Sequence, residues 1–356
     1  HRWNAVRVGP QKDIVGLWHE ACRRQGLRFG VTEHLGATFS WWRFNKGADK
    51  DGPYAGVPYD GNDPACEDLY LPNRGEGEKA PWYTENPWWF ERWFTRIKDL
   101  VDQHQPDLLY SDGGVPFGEV GVHLITHLYN LSARRHGGVN QAVYNHKDRT
   151  PDIAAVGVLD IERGQMNEAT PYPWQTDTCV GGWFYDVRQV YKSPKHVIEM
   201  LVDIVSKNGN LLLNFTQKPD GTLDDECLHI LSCLAAWNRV NGEGIFGTRP
   251  WKLAGEGPCA IESGAFKEKA LEWTTADFRF TARGKTVYAF QMKYPERREA
   301  FVRSLGLNAG HGKVAAAGVL GHGGHVVWRQ CEDGLLVQLP DEKVCDLVPC
   351  LRIELE

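Results

Sequence analysis

The sequence predicts a (β/α)₈-like barrel followed by a β-sandwich. In the first two-thirds of the chain, near-continuous apolar stretches alternate with amphipathic helical stretches, a pattern typical of parallel strands buried on both faces. After Gly257, apolar and polar residues alternate, as they do in antiparallel strands with one solvated face. We therefore expect a barrel domain over residues 1–256 and a β-sandwich domain over residues 257–356.

The predicted elements of the barrel follow in the order helix, strand, helix. The first helix, DIVGLWHEACRRQG, begins at Asp13, which is a good N-cap. The further helices are WWFERWFTRIKDLVDQHQ, GEVGVHLITHLYNLSARRHG and SPKHVIEMLVDIVSKNG. The predicted strands are LRFGVTEH, PDLLYSD, VNQAVYN, AAVGVLDIE, CVGGWFY and NLLLNF. In the second domain, FRFTARGKTVYAFQMKYP and HVVWRQCEDGLLVQLP contain strands joined by turns.

The strand count is lower than a closed barrel needs. We find about six strands where eight are required, and the chain opens with a segment that leads into a helix. We therefore expect that the barrel is incomplete at its N-terminus in this chain.

Polar residues follow the predicted strands, at the end of a barrel where active sites lie. They are Glu33, His34, Asp112, Asn145, Asp160, Glu162, Tyr185, Asp186 and Asn214. The chain also holds 14 Trp, 12 Tyr and 14 Phe. This aromatic content fits either a large core or a site lined with flat apolar faces, as sugars require.

Several classes of function do not fit the composition. The net charge is −6 and there is no basic run, which argues against nucleic acid and against a polybasic membrane patch. No stretch approaches the ~20 apolar residues of a membrane span. The 9 cysteines include no C-x-x-C pair, so they form neither a disulfide framework nor a zinc site. His123 and His127 have the i, i+4 spacing of a zinc pair but lack the glutamate of H-E-x-x-H. We expect no metal and no cofactor, and homo-oligomerisation stays open.

Four segments resemble glycoside hydrolase family 29, the α-L-fucosidases. They are WNAVRVGPQKDIVGLWHEACRRQGLRFGV, PDLLYSDGG, SKNGNLLLNFTQKPDGTLDD and NGEGIFGTRPW. The resemblance covers residues 1 to about 256 and implies a barrel followed by a β-sandwich. It also implies that early strands with a His-His pair that contacts fucose lie upstream of His1. A secreted, periplasmic or lysosomal location and a fucosylated glycan substrate are further implications.

The resemblance implies that Asp112, at the end of PDLLYSD, is the nucleophile of a retaining mechanism. Such a mechanism needs one carboxylate to attack the anomeric carbon and a second carboxyl to protonate the leaving oxygen. Ser111 and the Gly113-Gly114 turn leave room for a sugar ring. From the residues alone, Asp112 could instead be the N-cap of the next helix.

Glu162 in VLDIERG is the candidate acid/base. It follows Asp112 by about fifty residues, where similar members carry that glutamate, and a structural salt bridge to Arg163 is the alternative. Glu168 and Asp177 are reserves. A further segment, WQTDTCVGGWFY, has Gln175 where the family usually has Glu, so proton chemistry is not expected from that side chain.

Five more residues are expected to contact the substrate. Trp183, Tyr110 and Lys147 match family positions that contact fucose, although the family often has Trp in place of Tyr110 and Arg in place of Lys147. His34 and Trp42 follow a strand end, where a histidine can bind a sugar hydroxyl; core packing of Trp183 and a structural role of His34 are the alternatives.

The leading interpretation is an exo-acting, retaining α-L-fucosidase that forms a covalent fucosyl-enzyme. Two alternatives remain: another retaining exo-glycosidase on the same barrel, because a fold does not determine the sugar, and an inactive sugar-binding fragment. The fucosyl linkage and the aglycone depend on loops such as GADKDGPYAGVPYDG, which carry no readable code.

Overall fold

A computed structural model describes residues 4–42, 45–72, 81–150 and 155–356 of the chain. The described residues form two compact units, His1–Leu159 and Asp160–Glu356. The predicted boundary between residues 256 and 257 separates a barrel from a β-sandwich and not these two compact units. It stays a prediction.

The first unit alternates helices with parallel strands. Strands β1 to β4 form a parallel sheet in the order β1-β2-β3-β4. The strands are β1 (Gly30–Glu33), β2 (Leu108–Ser111), β3 (Val143–His146) and β4 (Val158–Leu159). The helices are α1 (Ile14–Arg24), α2 (Leu35–Trp41), α3 (Glu67–Tyr70), α4 (Pro87–His104) and α5 (Glu119–Arg135). The strand predicted over AAVGVLDIE begins with Ala154, outside the described residues, and its β4 part is short.

Local sequence explains where these helices begin and which side they bury. The Asp13 side chain caps α1 by accepting a hydrogen bond from the Gly16 N–H at 2.9 Å. Helix α4 starts at Pro87, because a proline at the first position needs no N–H partner, and it ends where Gln105 adopts a left-handed conformation. Its buried residues recur every three to four positions, which places them on one face: Trp89, Trp93, Ile97 and Val101.

The second unit begins with one more strand-helix-strand repeat. Strands β5 (Trp174–Cys179) and β6 (Gly209–Asn214) are parallel, and α6 (Pro194–Ser206) connects them. Helix α7 (Asp225–Asn241) follows, and the Asp224 side chain caps it by accepting a hydrogen bond from the Cys227 N–H. The strand predicted over CVGGWFY was wrong: β5 lies at WQTDTC, and Tyr185 and Asp186 lie in the loop that follows it instead of at a strand end. All six residues of β5 are buried, although several of them are polar. A hydrophobicity pattern therefore does not identify this strand.

Two antiparallel sheets complete the second unit. Their orders are β11-β14-β9-β8-β7 and β10-β13-β12. The strands are β7 (Arg249–Glu256), β8 (Phe278–Arg283), β9 (Thr286–Gln291), β10 (Glu299–Val302), β11 (Val314–Val319), β12 (Trp328–Gln330), β13 (Leu335–Gln338) and β14 (Cys350–Leu355). One cluster of buried residues, including Phe280 and Val337, draws on both sheets. The predicted antiparallel β-sandwich is confirmed.

A buried ion cluster joins α6 to the antiparallel part. Asp203 of α6 is 1% exposed and its two carboxylate oxygens bind two cations. Oδ2 of Asp203 lies 2.6 Å from Nζ of Lys207, and Oδ1 lies 2.5 Å from Nε of Arg279 in β8. Buried charges need such partners, because an unpaired one costs several kcal/mol.

Candidate active site

The polar residues at the ends of β1, β2 and β3 converge in the first unit. In the sheet Glu33 pairs with Ser111, and Tyr110 pairs with Asn145, so the strands end side by side. The next residues along the chain are His34 and Asp112, and Lys147 follows β3 directly. Parallel pairing therefore brings together three residues that the sequence analysis proposed separately.

Lys147 and His34 hold the carboxylate of Asp112 from two sides. Nζ of Lys147 lies 2.6 Å from Oδ1 of Asp112, and Nε2 of His34 contacts Oδ2. The Asp112 side chain is 18% exposed, Lys147 17% and His34 48%. The carboxylate is thus largely shielded from water, and its more open side faces the histidine.

These contacts keep Asp112 ionised. Burial raises the pKa of Asp112, but the hydrogen bonds from His34 and Lys147 outweigh burial and lower the pKa to about 2. In return, the hydrogen bond to the Asp112 carboxylate raises the pKa of His34. A carboxylate that is ionised at every ordinary pH is suited to act as a nucleophile.

Two aromatic side chains, Trp82 and Tyr83, hold the backbone around Asp112. Nε1 of Trp82 donates to the Asp112 carbonyl at 3.0 Å, and the Tyr83 hydroxyl donates to the Gly114 carbonyl at 2.8 Å. Between them, Gly113 has a φ of +119°, and a Cβ there would lie 2.6 Å from the indole nitrogen. Only glycine fits this turn. The N-cap alternative for Asp112 was wrong for α5, whose N-cap is Gly118.

Glu33 is a site-supporting residue whose role the sequence did not reveal. It is 7% exposed, and its carboxylate accepts hydrogen bonds from the Ser111 hydroxyl at 2.7 Å and from the Gly36 N–H at 3.0 Å. Burial raises its pKa. The carboxyl ties together the end of β1, the end of β2 and the start of α2. Its place before His34 at a strand end was the available signal.

Tyr110, Trp41 and Trp42 contact different residues in this part of the first unit. Tyr110 is 2% exposed, and Nζ of Lys147 lies 5.9 Å from its ring centroid, so the ring lies behind the lysine. Trp41, which the sequence analysis did not select, packs against His34 with ring centroids 5.6 Å apart. Trp42 packs instead against Tyr70 at 5.3 Å. The substrate-binding roles of Tyr110 and Trp42 stay predictions.

In the second unit, Glu162 lies in a turn that pairs with β5. The Ile161 N–H donates to the Gln175 carbonyl, and the Arg163 N–H donates to the Asp177 carbonyl, both at 2.9 Å. Glu162 itself is half-buried. The turn passes through Arg163 with a φ of +45°, which is unusual for a residue with a side chain.

A downstream segment, residues 266–268, forms hydrogen bonds with the carbonyl groups of this turn. The Phe266 N–H donates to the Glu162 carbonyl at 2.8 Å, and the Glu268 N–H donates to the Arg163 carbonyl at 3.0 Å. The Glu268 carboxylate is 9% exposed and lies 3.2 Å from Nζ of Lys192 and 3.7 Å from Nε of Arg163. Sequence reasoning missed this segment because it lies about one hundred residues away, in the predicted sandwich.

The remaining sequence-selected residues of the second unit lie nearby in the chain but differ in exposure. Gln175, where the family usually has Glu, donates from Nε2 to Oδ2 of buried Asp160 at 2.6 Å. Asp177 is buried, and Glu168 is exposed. Trp183 is 37% exposed and lies in the loop after β5.

Sequence comparison finds one family over most of the chain. The family model described as Alpha-L-fucosidase matches residues 1–243, and the model described as Alpha-L-fucosidase C-terminal domain matches residues 272–354. Among curated relatives, tissue alpha-L-fucosidase of Rattus norvegicus is 24% identical over 95% of this chain. Plasma alpha-L-fucosidase of Homo sapiens is 25% identical over 98% of this chain. The chain spans 63% and 66% of the length of these two relatives.

Solved structures with the same fold include two bacterial proteins. An alpha-fucosidase of Thermotoga maritima in complex with fucose matches 99% of this chain and 70% of its own, with a TM-score of 0.67 and 21% identity. Alpha-L-fucosidase isoenzyme 1 of Paenibacillus thiaminolyticus matches 99% of this chain and 77% of its own, with a TM-score of 0.67 and 22% identity. Among the described residues, no helix has the length and apolar character of a membrane span.

Proposed function

This chain belongs to the α-L-fucosidase family, and from that premise we propose that it hydrolyses terminal α-L-fucosides with retention of configuration. Asp112 is the nucleophile, and Glu162 is the general acid and base. The substrate is a fucosylated glycan or glycoconjugate, from which the enzyme removes the fucose at the end. No metal or cofactor takes part in this scheme.

The observation that carries the proposal is the environment of Asp112. The carboxylate is four-fifths buried, bound by Lys147 and His34, and its pKa is lowered to about 2. A structural carboxylate would need such partners too, but this one stands at a strand end, the position of barrel active sites, beside a Gly-Gly turn that carries no side chains of its own. His34 is the more exposed partner, so an incoming sugar displaces the His34 contact and leaves the Lys147 contact in place.

The reaction then proceeds in two displacements. An oxygen of Asp112 attacks the anomeric carbon, the glycosidic C–O bond breaks, and Glu162 gives its proton to the leaving oxygen. In the second step, Glu162 takes a proton from water, whose oxygen attacks the anomeric carbon and releases fucose and the Asp112 carboxylate. Each step inverts the anomeric centre, so the product retains the starting configuration.

Replacing the nucleophile tests the first assignment. Asp112→Gly should abolish hydrolysis of a nitrophenyl α-L-fucoside while leaving the circular dichroism spectrum unchanged. Added azide should occupy the vacated space, restore turnover and give the β-fucosyl azide. Asp333→Gly, at an exposed turn of the antiparallel part, is the matched control and should retain activity. Near-normal activity of the Asp112→Gly variant would exclude Asp112 as nucleophile.

A leaving-group comparison tests Glu162. In Glu162→Ala, a dinitrophenyl fucoside should form the fucosyl-enzyme rapidly because its leaving group needs no proton. A fucoside with a sugar aglycone should react about 10²- to 10⁴-fold more slowly than in the unmodified protein. Azide should accelerate the second step and yield the α-azide. Glu168→Ala is the control; equal losses on both substrates without azide rescue in Glu162→Ala would shift the assignment to Glu168 or Asp177.

Other nitrophenyl glycosides distinguish the fucosidase from another glycosidase. Turnover of the fucoside alone supports the proposal, and preference for a different glycoside contradicts it. Absence of turnover with every glycoside, together with measurable fucose binding, would instead support a sugar-binding role.

A further inference from the structure

We propose that an aromatic cleft beside Asp112 binds the sugar to which the fucosyl unit is attached, and that this sugar is neutral. The inference rests on the proposed fucosidase function and adds to it the class of aglycone. The cleft lies in the first unit, where the loop 45–60 folds over the end of α2. This loop overlaps the stretch GADKDGPYAGVPYDG, from which the sequence alone did not predict the fucosyl linkage or the aglycone.

The cleft has the size of a sugar-binding site. Its volume is about 540 Å³, within the range of about 300–1,000 Å³ typical of small-molecule sites. Its aromatic lining comes from the end of α2, from the loop and from the end of α3. These residues are Trp41, Trp42, Tyr54, Tyr59 and Tyr70.

The aromatic rings offer accessible surface to a ligand. Tyr54 is 67% exposed, Trp41 46%, Tyr59 39% and Trp42 38%. Side chains of this size are usually largely buried, so four exposed rings around one cleft form an apolar surface without a covering in the described part of the chain. Flat rings of this kind pack against the C–H face of a sugar, and their polar edges reach its hydroxyls.

The polar groups of the lining are suited to sugar hydroxyls. Oδ1 of Asp49 accepts a hydrogen bond from the Tyr59 hydroxyl at 2.7 Å. Asn45 is 8% exposed; its Nδ2 donates to the Tyr70 carbonyl at 2.6 Å, and its Oδ1 has no hydrogen-bond partner within the described ranges. A buried acceptor without a partner is unfavourable, and a ligand hydroxyl would satisfy it.

The charges of the described lining residues disfavour an acidic ligand. Asp49 and Asp60 contribute carboxylates, whereas no lysine or arginine is found among the described residues that line the cleft. A sulfated or sialylated sugar would meet these two like charges, and the described lining residues offer no cation to offset them. The cleft therefore favours a neutral aglycone.

The cleft adjoins the catalytic centre through Trp41. Trp41 forms part of the lining and also packs against His34, whose imidazole contacts Asp112. The other side of Trp41 meets Trp82 edge-on at 5.1 Å, and Trp82 donates to the Asp112 carbonyl. Trp41 thus contacts both side chains that bond to Asp112 from this side, and it also lines the cleft.

Substrates with and without an aglycone sugar test the proposal. We compare Tyr54→Ala with Tyr172→Ala, a tyrosine that is 77% exposed and lies outside the cleft. For a neutral fucosylated trisaccharide, kcat/KM should fall about five- to tenfold in Tyr54→Ala, the loss expected for one stacked ring. For α-L-fucosyl fluoride, which has no aglycone sugar, kcat/KM should stay within about twofold, and Tyr172→Ala should change neither value.

The outcomes separate the two proposals. Equal losses on both substrates, or no loss on either, would overturn the aglycone site, and efficient cleavage of a sialylated trisaccharide would overturn the preference for a neutral sugar. If the unmodified protein cleaves neither substrate, the proposed fucosidase function fails. Saturation-transfer NMR with lactose then tests the cleft directly: a signal that Tyr54→Ala loses and Tyr172→Ala keeps supports the site, and no signal with the unmodified protein overturns it.

Discussion

Replacing Lys147 by Met tests how Asp112 is kept ionised. Methionine removes the ammonium group and keeps an unbranched apolar side chain of similar length, so the change acts mainly on charge. In the structure the ammonium nitrogen lies 2.6 Å from Oδ1 of Asp112, and both side chains are more than four-fifths buried.

The expected size of the effect follows from the pKa of Asp112. That pKa is about 2 against an ordinary 3.8, although burial raises it, so the partners more than compensate for burial. The difference, 3.8 − 2 or about 1.8 pH units, corresponds to about 2 kcal/mol in favour of the ionised form. An opposite charge at close range typically lowers a carboxyl pKa by about 1–3 units. Loss of Lys147 leaves His34 alone against burial, so the pKa of Asp112 should rise by roughly 1–3 pH units, the range typical of one close opposite charge.

The assay is the pH dependence of kcat/KM for a dinitrophenyl fucoside, which needs an ionised nucleophile but no acid catalyst. The acidic limb of this profile reports the ionisation of the free enzyme. We expect it near pH 2 in the unmodified protein and roughly 1–3 pH units higher in Lys147→Met. Lys98→Met, which removes a 39% exposed lysine paired with Asp102, should leave the limb unchanged. Circular dichroism at each pH confirms that the protein stays folded.

Stability gives a second readout with a definite sign. A carboxylate whose pKa is depressed in the folded state stabilises the protein above the unfolded pKa, and this contribution is lost as the pH falls through the folded pKa. The pH-dependent part of the stability difference between Lys147→Met and the unmodified protein should therefore be present at neutral pH and disappear between about pH 4 and pH 2. An acidic limb and a pH–stability curve identical to those of the unmodified protein would refute the assignment of Lys147 as one of the two groups that keep Asp112 ionised.

Three further changes test other parts of the structure. Gly113→Ala should lower the melting temperature more than Gly138→Ala. Both glycines have positive φ (+119° and +97°), but only a Cβ at Gly113 would meet other atoms within 4 Å. Equal decreases in melting temperature would contradict the close packing at Gly113. Glu268→Gln should lower the free energy of unfolding by about 3 kcal/mol and speed amide exchange over residues 161–165. Glu262→Gln, which changes an exposed glutamate of the same stretch, should do neither. Unchanged exchange in Glu268→Gln would mean that the Glu268 carboxylate does not hold the turn. Asp203→Asn should cost about 3–5 kcal/mol in urea unfolding because two buried cations lose their anion, and a loss below about 1 kcal/mol would argue against that cluster.

Much of the fold was predictable because its signals are local. The helix that begins at Asp13 needs only a capping side chain and an apolar face with helical spacing, and both can be read from consecutive residues. Strand β2 was predictable for the same reason, since its short apolar run and its break at Asp112 and two glycines are contiguous. Strand β5 was misplaced because burial of polar residues such as Asp177 depends on what surrounds the strand, which a hydrophobicity pattern does not contain.

The candidate site likewise has features that can be predicted from consecutive residues and features that depend on tertiary structure. The sequence by itself determined that Asp112 ends a buried strand, and the resemblance carried by PDLLYSDGG named a role for it. Only the tertiary structure decided that His34 and Lys147 bind its two oxygens, because parallel pairing of β1, β2 and β3 aligns strand ends that lie far apart in the chain. The same holds for the choice of Trp41 over Trp42 beside His34, and for the clasp of Glu268 on the Glu162 turn. Charge and burial act through distances in space, and those distances exist only once the strands have paired.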